Sequence, residues 1–323
     1  MNPFRLAAGL SARPWQRLGL GALGIAILVG ITRQVDWRQF RMVFASLGWP
    51  WILASVLLGC CAMCFRALRL ALVLEKVPRF GGVWRALALG YLGTLLLPLG
   101  AGELVKTVAV RQLMDLPAAS AAAGVVLDRM FDLLGLGILL GVLAGTGVAV
   151  KLRTGPIWTG ASALVALVLA MAWLLHRRAR QRRTAVSGTG PSLFGHTLDS
   201  ISRILAGFKR PAHLGRLLSV QVVVTLLDVA AIHVGLQAFS FGKALAVLAS
   251  VKLSAYIMLG AALPLLPGGL GSFQVACLLA LQPAGISSAQ AFAYSLVAQG
   301  AGSGTASLLG TAAACWPNRR NRA

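Results

Sequence analysis

The sequence predicts an all-α polytopic membrane protein of about six to eight transmembrane helices. Two of its segments are expected to be re-entrant hairpins broken by proline and glycine, with a cytoplasmic amphipathic helix between the halves. Three observations carry this expectation. Of 323 residues, 58% are hydrophobic and 12% charged, whereas soluble domains run at about 45–50% and about 25%. Apolar runs of near-spanning length recur along the chain. The 30 Lys and Arg residues gather mostly in short clusters between those runs, as the positive-inside rule requires.

The charge distribution also speaks against nucleic acid as a partner. A net charge of +22 would suit a phosphate backbone, but clusters beside membrane segments account for it. Anionic lipid headgroups are the partners these basic rims fit. The five cysteines, Cys60, Cys61, Cys64, Cys277 and Cys315, lie in apolar sequence and read as small packing residues rather than metal ligands.

In chain order, Arg5, Arg13 and Arg17 precede a first apolar run at 17–33. No A-x-A cleavage signal follows, so it reads as an uncleaved span with a cytoplasmic N-terminus. Further apolar runs fall at 50–68, 83–97, 119–148, 156–176, 216–239, 244–263 and 288–315, with a short apolar helix at 272–282. HRRARQRR at 176–183 opens the longest connection. This linker, 177–215, divides a single membrane domain of 1–323 into halves 1–176 and 216–323. Within it Phe194, Leu198, Ile201, Leu205 and Phe208 alternate spacings of four and three, which puts them on one helix face. An amphipathic helix on the inner leaflet is expected there; the other reading is a connecting helix packed on the bundle.

Basic rims at 1–17, 66–85 and 177–216 and the tail at Arg319, Arg320 and Arg322 place both termini in the cytoplasm. An even number of crossings between successive rims then makes 83–113 a hairpin entered from the cytoplasm, turning at Pro98. By the same count 244–282 is a hairpin from the outer face, turning at Pro264 and Pro267. Irregular backbone at membrane depth is tolerated where protein or a watery cavity satisfies it, and opposed broken segments point to a transporter's site. The alternative is that the prolines simply end ordinary spans.

Ionisable residues inside spans need partners, water or a ligand. Arg66 and Arg69 close the second span three apart. Glu103 and Lys106 follow the first turn at the same spacing. Asp128, Arg129 and Asp132 interrupt AAAGVVLDRMFDLLGLGILL, the two acids one turn apart on one face. Asp228 and Lys252 are expected to neutralise each other. A structural charge network and a headgroup site both fit these residues. Gly137, Gly141 and Gly145, with Gly300 and Gly304, form small-residue ridges expected to let helices approach.

No Walker A, H-E-x-x-H, G-x-S-x-G or C-x-x-C motif occurs in the chain, so neither a cofactor nor an enzymatic activity is expected. Four elements in order carry a resemblance instead: Arg66 with Arg69, G-Y-L-x-T-L-L-L-P-x-x-x-G-E-x-x-K at 90–106, D-R-x-x-D at 128–132 and P-x-x-P-G-G-L-G-x-x-Q at 264–274. The chain resembles the flippase-like membrane region of lysylphosphatidylglycerol synthases, without their aminoacyl-transferase domain. It departs from the family pattern at Thr94, Lys106, Asp128 and Gln274, and has no Arg after Pro98. The resemblance implies a lipid translocase of the bacterial inner membrane, for a phospholipid, hopanoid-type or other envelope lipid. The implied headgroup residues are Arg66, Arg69, Thr94, Glu103, Lys106, Asp128, Arg129, Asp132, Gly268, Gly269, Gly271 and Gln274. The alternative is a non-transporting accessory protein that scaffolds envelope-lipid biosynthesis enzymes.

Overall fold

The computed structural model describes residues 36–76, 79–97, 101–146, 200–201, 204, 210–241, 245–261 and 269–315. Among them are nine α-helices and no strand. The expected spans at 17–33 and 156–176 and most of the linker lie outside the described residues.

Helix α1 (Trp37–Ala45) has no counterpart in the sequence reading. Asp36 starts it, its Oδ1 accepting from the backbone N–H groups of Arg38 at 2.9 Å and Gln39 at 3.3 Å. Trp37, Phe40 and Phe44 follow helical spacing, and Trp37 and Phe40 set their rings against Phe292. Arg38 and Arg41 interrupt the apolar sequence, so a search for long apolar runs passes over this helix.

Helix α2 (Trp49–Val73) and, later in the chain, α6 (Pro211–Gln237) are apolar and long enough to cross a membrane. At 25 and 27 residues they extend ~37 and ~40 Å, beyond the ~30 Å hydrocarbon core. They pack along each other in antiparallel register. Gly48 donates its N–H to Ala238 O, Ser55 Oγ donates to Ala231 O at 2.7 Å, and Arg69 reaches Gln221. This pair of helices joins the two halves of the chain.

Helices α3 (Phe80–Leu96) and α4 (Gly102–Met114) form the first hairpin. Gly82 faces Met114, Gly90 faces Lys106 and Gly93 faces Val105, a register that runs antiparallel. The contact is closest at Gly102. A Cβ there would meet Thr94 Oγ1 at 2.0 Å, Thr94 N at 2.5 Å and Gly90 O at 2.6 Å. With 13 residues, α4 is only ~20 Å long, too short to span. Its turn residues 98–100 lie outside the described residues. Asp115, at φ 52°, then ends α4, and Pro117 leads into α5 (Ala118–Gly145).

Helices α7 (Val247–Ala261) and α8 (Ser272–Leu281) pair in the second half. Gly260 is the point of closest approach, where a Cβ would lie 3.0 Å from Ser272 O. Gly269 and Gly271 take φ of 74° and 86°, a region open to glycine and strained for other residues. The last helix, α9 (Ser288–Cys315), packs on α8 and returns to the first half. There Gly310 lies against Leu92 and Ala88, and the Arg85 guanidinium donates to Ala313 O.

Each half has its own apolar core. Leu70, Val83, Val110 and Met114 form one; Leu236, Leu253, Cys277 and Tyr294 belong to the other. Outside the cores the usual partition is reversed. Leu53, Leu57, Leu226 and Leu308 face outward, while Arg69, Lys106, Asp128 and Lys252 are buried. Leucines outside and charges inside suit a hydrocarbon surrounding.

Among the described residues nothing approaches a Cβ at Gly137, Gly141, Gly145, Gly300 or Gly304, and the close approaches include those at Gly82, Gly90, Gly93, Gly102, Gly124, Gly135 and Gly310. Within the linker, Ile201 and Ile204 pack with Val73, Leu127, Phe131 and Leu217. At these positions the segment's apolar face covers the bundle rather than a lipid leaflet. The rest of the expected amphipathic helix lies outside the described residues.

Gly102→Ala is expected to lower stability by about 1–3 kcal/mol, although alanine is the better helix former. The contacts include backbone atoms, which cannot rotate away. Thermal unfolding of the purified protein measures this, with Gly300→Ala, where no described residue lies within 4 Å of the added Cβ, expected to be neutral or stabilising.

Candidate functional site

Helices α2 and α5 place the site's central residues. Arg66 and Arg69 are three apart on α2, and Asp128 and Asp132 four apart on α5, so each pair shares one helix face. Arg69, 1% exposed, lies between the two acids. Its Nε donates to Asp128 Oδ1 at 2.9 Å and its Nη2 to Asp132 Oδ1 at 2.7 Å. Its Nη1 donates to Gln221 Oε1 on α6, and its face lies 5.9 Å from the Phe131 ring centroid. All three nitrogens of this guanidinium are engaged by protein.

The first hairpin adds two more charges. Lys106 Nζ donates to Asp128 Oδ2 at 3.0 Å and lies 3.0 Å from Glu103 Oε2. Glu103 Oε1 meets the Arg129 guanidinium, whose Nη1 also donates to Asp132 Oδ2 at 3.0 Å. Glu103 Oε2 itself makes no aligned hydrogen bond. A separate pair, Arg66 Nη2 to Asp228 Oδ2 at 2.6 Å, stands on the α2–α6 interface. Four cations therefore face four carboxylates, and the site is neutral as a whole.

Two cavities meet at this network. Arg66, Arg69, Glu103, Lys106, Asp128, Arg129 and Asp132, with Thr94, line a polar cleft of about 20 Å³, room for about one water. A second cavity of about 410 Å³ runs between the halves, lined by apolar side chains that include Ile52, Met63, Ile257, Phe273 and Val297. Arg66 and Tyr91 line both, and Asp228 lines the larger one. The Arg66–Asp228 pair thus stands where the charged cleft meets the apolar cavity.

The family described as lysylphosphatidylglycerol synthase TM region has a model that matches residues 17–310. The chain belongs to this family. No curated protein and no solved structure matches it. Membership, with the apolar helices above, makes it a membrane protein.

In this member of the family, most residues singled out in the sequence come together and some do not. Arg66, Arg69, Thr94, Glu103, Lys106, Asp128, Arg129 and Asp132 line one cleft. The Thr94 hydroxyl donates to Gly90 O within its own helix. Gly269, Gly271 and Gln274 do not line this cleft. Gln274 is buried and caps α8, its Oε1 accepting from Gly271 N at 2.7 Å and its Nε2 donating to Gln299 Oε1 at 2.5 Å. Gly268 lies outside the described residues.

The expected Asp228–Lys252 pair is replaced by Arg66–Asp228. Asp228 and His233 are five residues apart and so point about 140° apart around α6. His233 meets Ser250 of α7 at 3.0 Å, while Asp228 points to α2. Lys252 Nζ lies 5.8 Å from the Tyr256 ring centroid. The sequence reading also missed Gln221, a buried neutral amide. Its signal was the polar stripe Gln221, Thr225, Asp228, spaced by four and three on one face of α6.

Arg69→Ala leaves Asp128 and Asp132 without their common partner and is expected to cost about 3–5 kcal/mol. Arg69→Lys does not restore it, because one ammonium cannot reproduce the fork. Arg129, 51% exposed, is expected to cost at most ~1 kcal/mol on change to Ala. Thermal unfolding in detergent separates the two; equal losses would contradict this division of roles.

Proposed function

We propose that this protein is a lipid translocase of the bacterial inner membrane, moving an envelope lipid between leaflets. The observation that supports it best is the junction of an intramembrane charge network with an apolar cavity of about 410 Å³. A lipid has the same two parts. Its headgroup fits the polar cleft, while its chains fit apolar walls or the surrounding bilayer. Water-free spans would otherwise present a headgroup with a large desolvation cost.

Within the site the residues divide by reach. Arg69, Lys106 and Asp128 are buried and fully paired, so they hold the framework. Arg66, Glu103, Arg129, Asp132 and Asp228 are partly exposed and form the edge a headgroup meets. The two short hairpins supply the broken backbone found at such sites. In this reading α3–α4 enters from the cytoplasm, α7–α8 enters from the outer face, and both termini are cytoplasmic.

A second reading, a non-transporting scaffold for envelope-lipid enzymes, draws on the same pairing: a neutral, mutually satisfied network also serves packing alone. Proteoliposomes carrying acyl-labelled phospholipids or hopanoid-type lipids decide between them. Faster leaflet exchange than in empty liposomes is expected, and no acceleration for any of these lipids overturns translocation. Glu103→Gln is expected to slow exchange by about tenfold, equivalent to ~1.4 kcal/mol, with the unfolding temperature nearly unchanged. Full exchange in this variant would favour the scaffold.

Topology has its own test. In a background with the five cysteines replaced, Leu270→Cys is expected to react with an impermeant maleimide from outside. Ala101→Cys is expected to react only in inverted vesicles. Labelling of both from the same side would end the opposed-hairpin arrangement.

A further inference from the structure

Helix α1 is seated on the second half of the chain by one face only. Phe40 and Val43, three residues apart, pack against the core that holds Leu47, Leu236 and Tyr294. On the same side Gln39 Oε1 accepts from Ser287 Oγ at 3.1 Å. The rest of the helix surface is exposed and divides in two. Trp37 and Phe44, 51% and 46% exposed, are seven residues apart and share one flank. Arg38 and Arg41, three apart, share the side roughly opposite the seat. Among the described residues neither arginine has a side-chain partner.

The place of α1 in the fold indicates what meets its aromatic flank. Three residues separate α1 from α2, and Gly48 among them donates its N–H to Ala238 O, just past the end of α6. The helix therefore lies at the shared end of the two helices long enough to cross a membrane. Trp49 and Trp51, 66% and 46% exposed, stand at that same end. Tryptophan concentrates at the membrane–water interface, where its ring is shielded and its indole N–H stays wet. The two free guanidinium groups match the oxygens of lipid phosphates. A purely aliphatic flank would suit acyl chains or another protein equally well. Aromatic rings beside arginines suit the boundary between chains and headgroups.

We propose that α1 is an interfacial helix whose partner is the bilayer surface itself. It lies along the rim of the membrane, with Trp37 and Phe44 in the headgroup–acyl boundary and Arg38 and Arg41 among the lipid phosphates. In the topology proposed above this leaflet is the outer one, but the seat at the interface does not depend on that assignment. No residue of α1 lines the charged cleft or the larger cavity, so the contact is separate from the proposed translocation site. Because α1 also holds Ser287 and Phe292, it sets the depth in the bilayer at which α9 begins.

The test uses the full chain in vesicles of phosphatidylethanolamine and phosphatidylglycerol, with the five cysteines replaced and a nitroxide carried on one new cysteine at a time. Trp37→Cys and Phe44→Cys are expected to collide with oxygen in preference to a water-soluble nickel chelate, at a depth of about 5–10 Å. Arg38→Cys and Arg41→Cys are expected to prefer the chelate, and Val43→Cys to meet neither reagent. Preference for the chelate at positions 37 and 44 would put the aromatic flank in water. Contact with neither reagent there would put it under protein, a second copy of the chain included; each result overturns the proposal. A second measurement keeps the native cysteines and decides if the labelled variants fail to fold. Trp37→Phe, which leaves a ring beside Phe292, is expected to lower the share of tryptophan fluorescence quenched by lipids brominated near the top of their chains. An unchanged share overturns the interfacial seat. Changing Arg38 and Arg41 together to Glu is expected to move the label at position 44 toward water in these anionic vesicles, and an unchanged depth overturns the phosphate contacts.

Discussion

Burial of Arg69 is the constraint on which the surrounding structure depends. A guanidinium 1% exposed in an apolar bundle needs acceptors for its nitrogens and countercharge for its cation. It takes Asp128 and Asp132 from α5 and Gln221 from α6, which fixes the rotation of both helices about their own axes relative to α2. Arg69 leaves one oxygen of Asp128 unsatisfied, and Lys106 fills it at 3.0 Å. That contact draws α4 inward, and α4 can come close only because α3 presents Gly90 and Gly93 to it. Close helix approach and buried charge are therefore one arrangement seen from two sides.

The network is graded from its centre to its edge. At the centre, Arg69, Lys106 and Asp128 satisfy one another and have little exchange left to make. At the edge, Glu103 keeps an oxygen without an aligned hydrogen bond, and the Arg66–Asp228 pair uses one nitrogen and one oxygen. A rigid interior with a partly unsatisfied rim suits the proposed headgroup site, since such a rim could meet a ligand without the framework having to move. An apolar cavity of about 410 Å³ adjoins that rim, which is why the proposed function takes an amphipathic ligand.

Much of the helical layout was legible in composition and periodicity. The runs at 50–68, 216–239 and 288–315 correspond to α2, α6 and α9, because long apolar segments signal themselves by length alone. The charges at 66, 69, 103, 106, 128, 129 and 132 stood out because an ionisable residue in such a run is costly, and the structure gathers all of them at one cleft. Helix α1 was missed because its arginines break the apolar run. Gln221 was missed because an uncharged amide carries no such cost signal. Gln274, which the family resemblance implies for the headgroup, spends its amide on capping α8 and on Gln299.

The sequence by itself determined that this is a helical membrane protein with charges placed where lipid should be. Local properties suffice for that: apolar length, the spacing of small residues and the cost of an isolated charge. Only the tertiary structure decided which charges pair. Asp228 and Lys252 lie close in sequence on neighbouring helices, yet Asp228 meets Arg66, which stands 162 positions away. Helix rotation explains the choice. A side chain's partner is set by the face its helix turns toward a neighbour, and that face follows from close packing at Gly48, Ser55 and Gly235, which no single residue's chemistry announces.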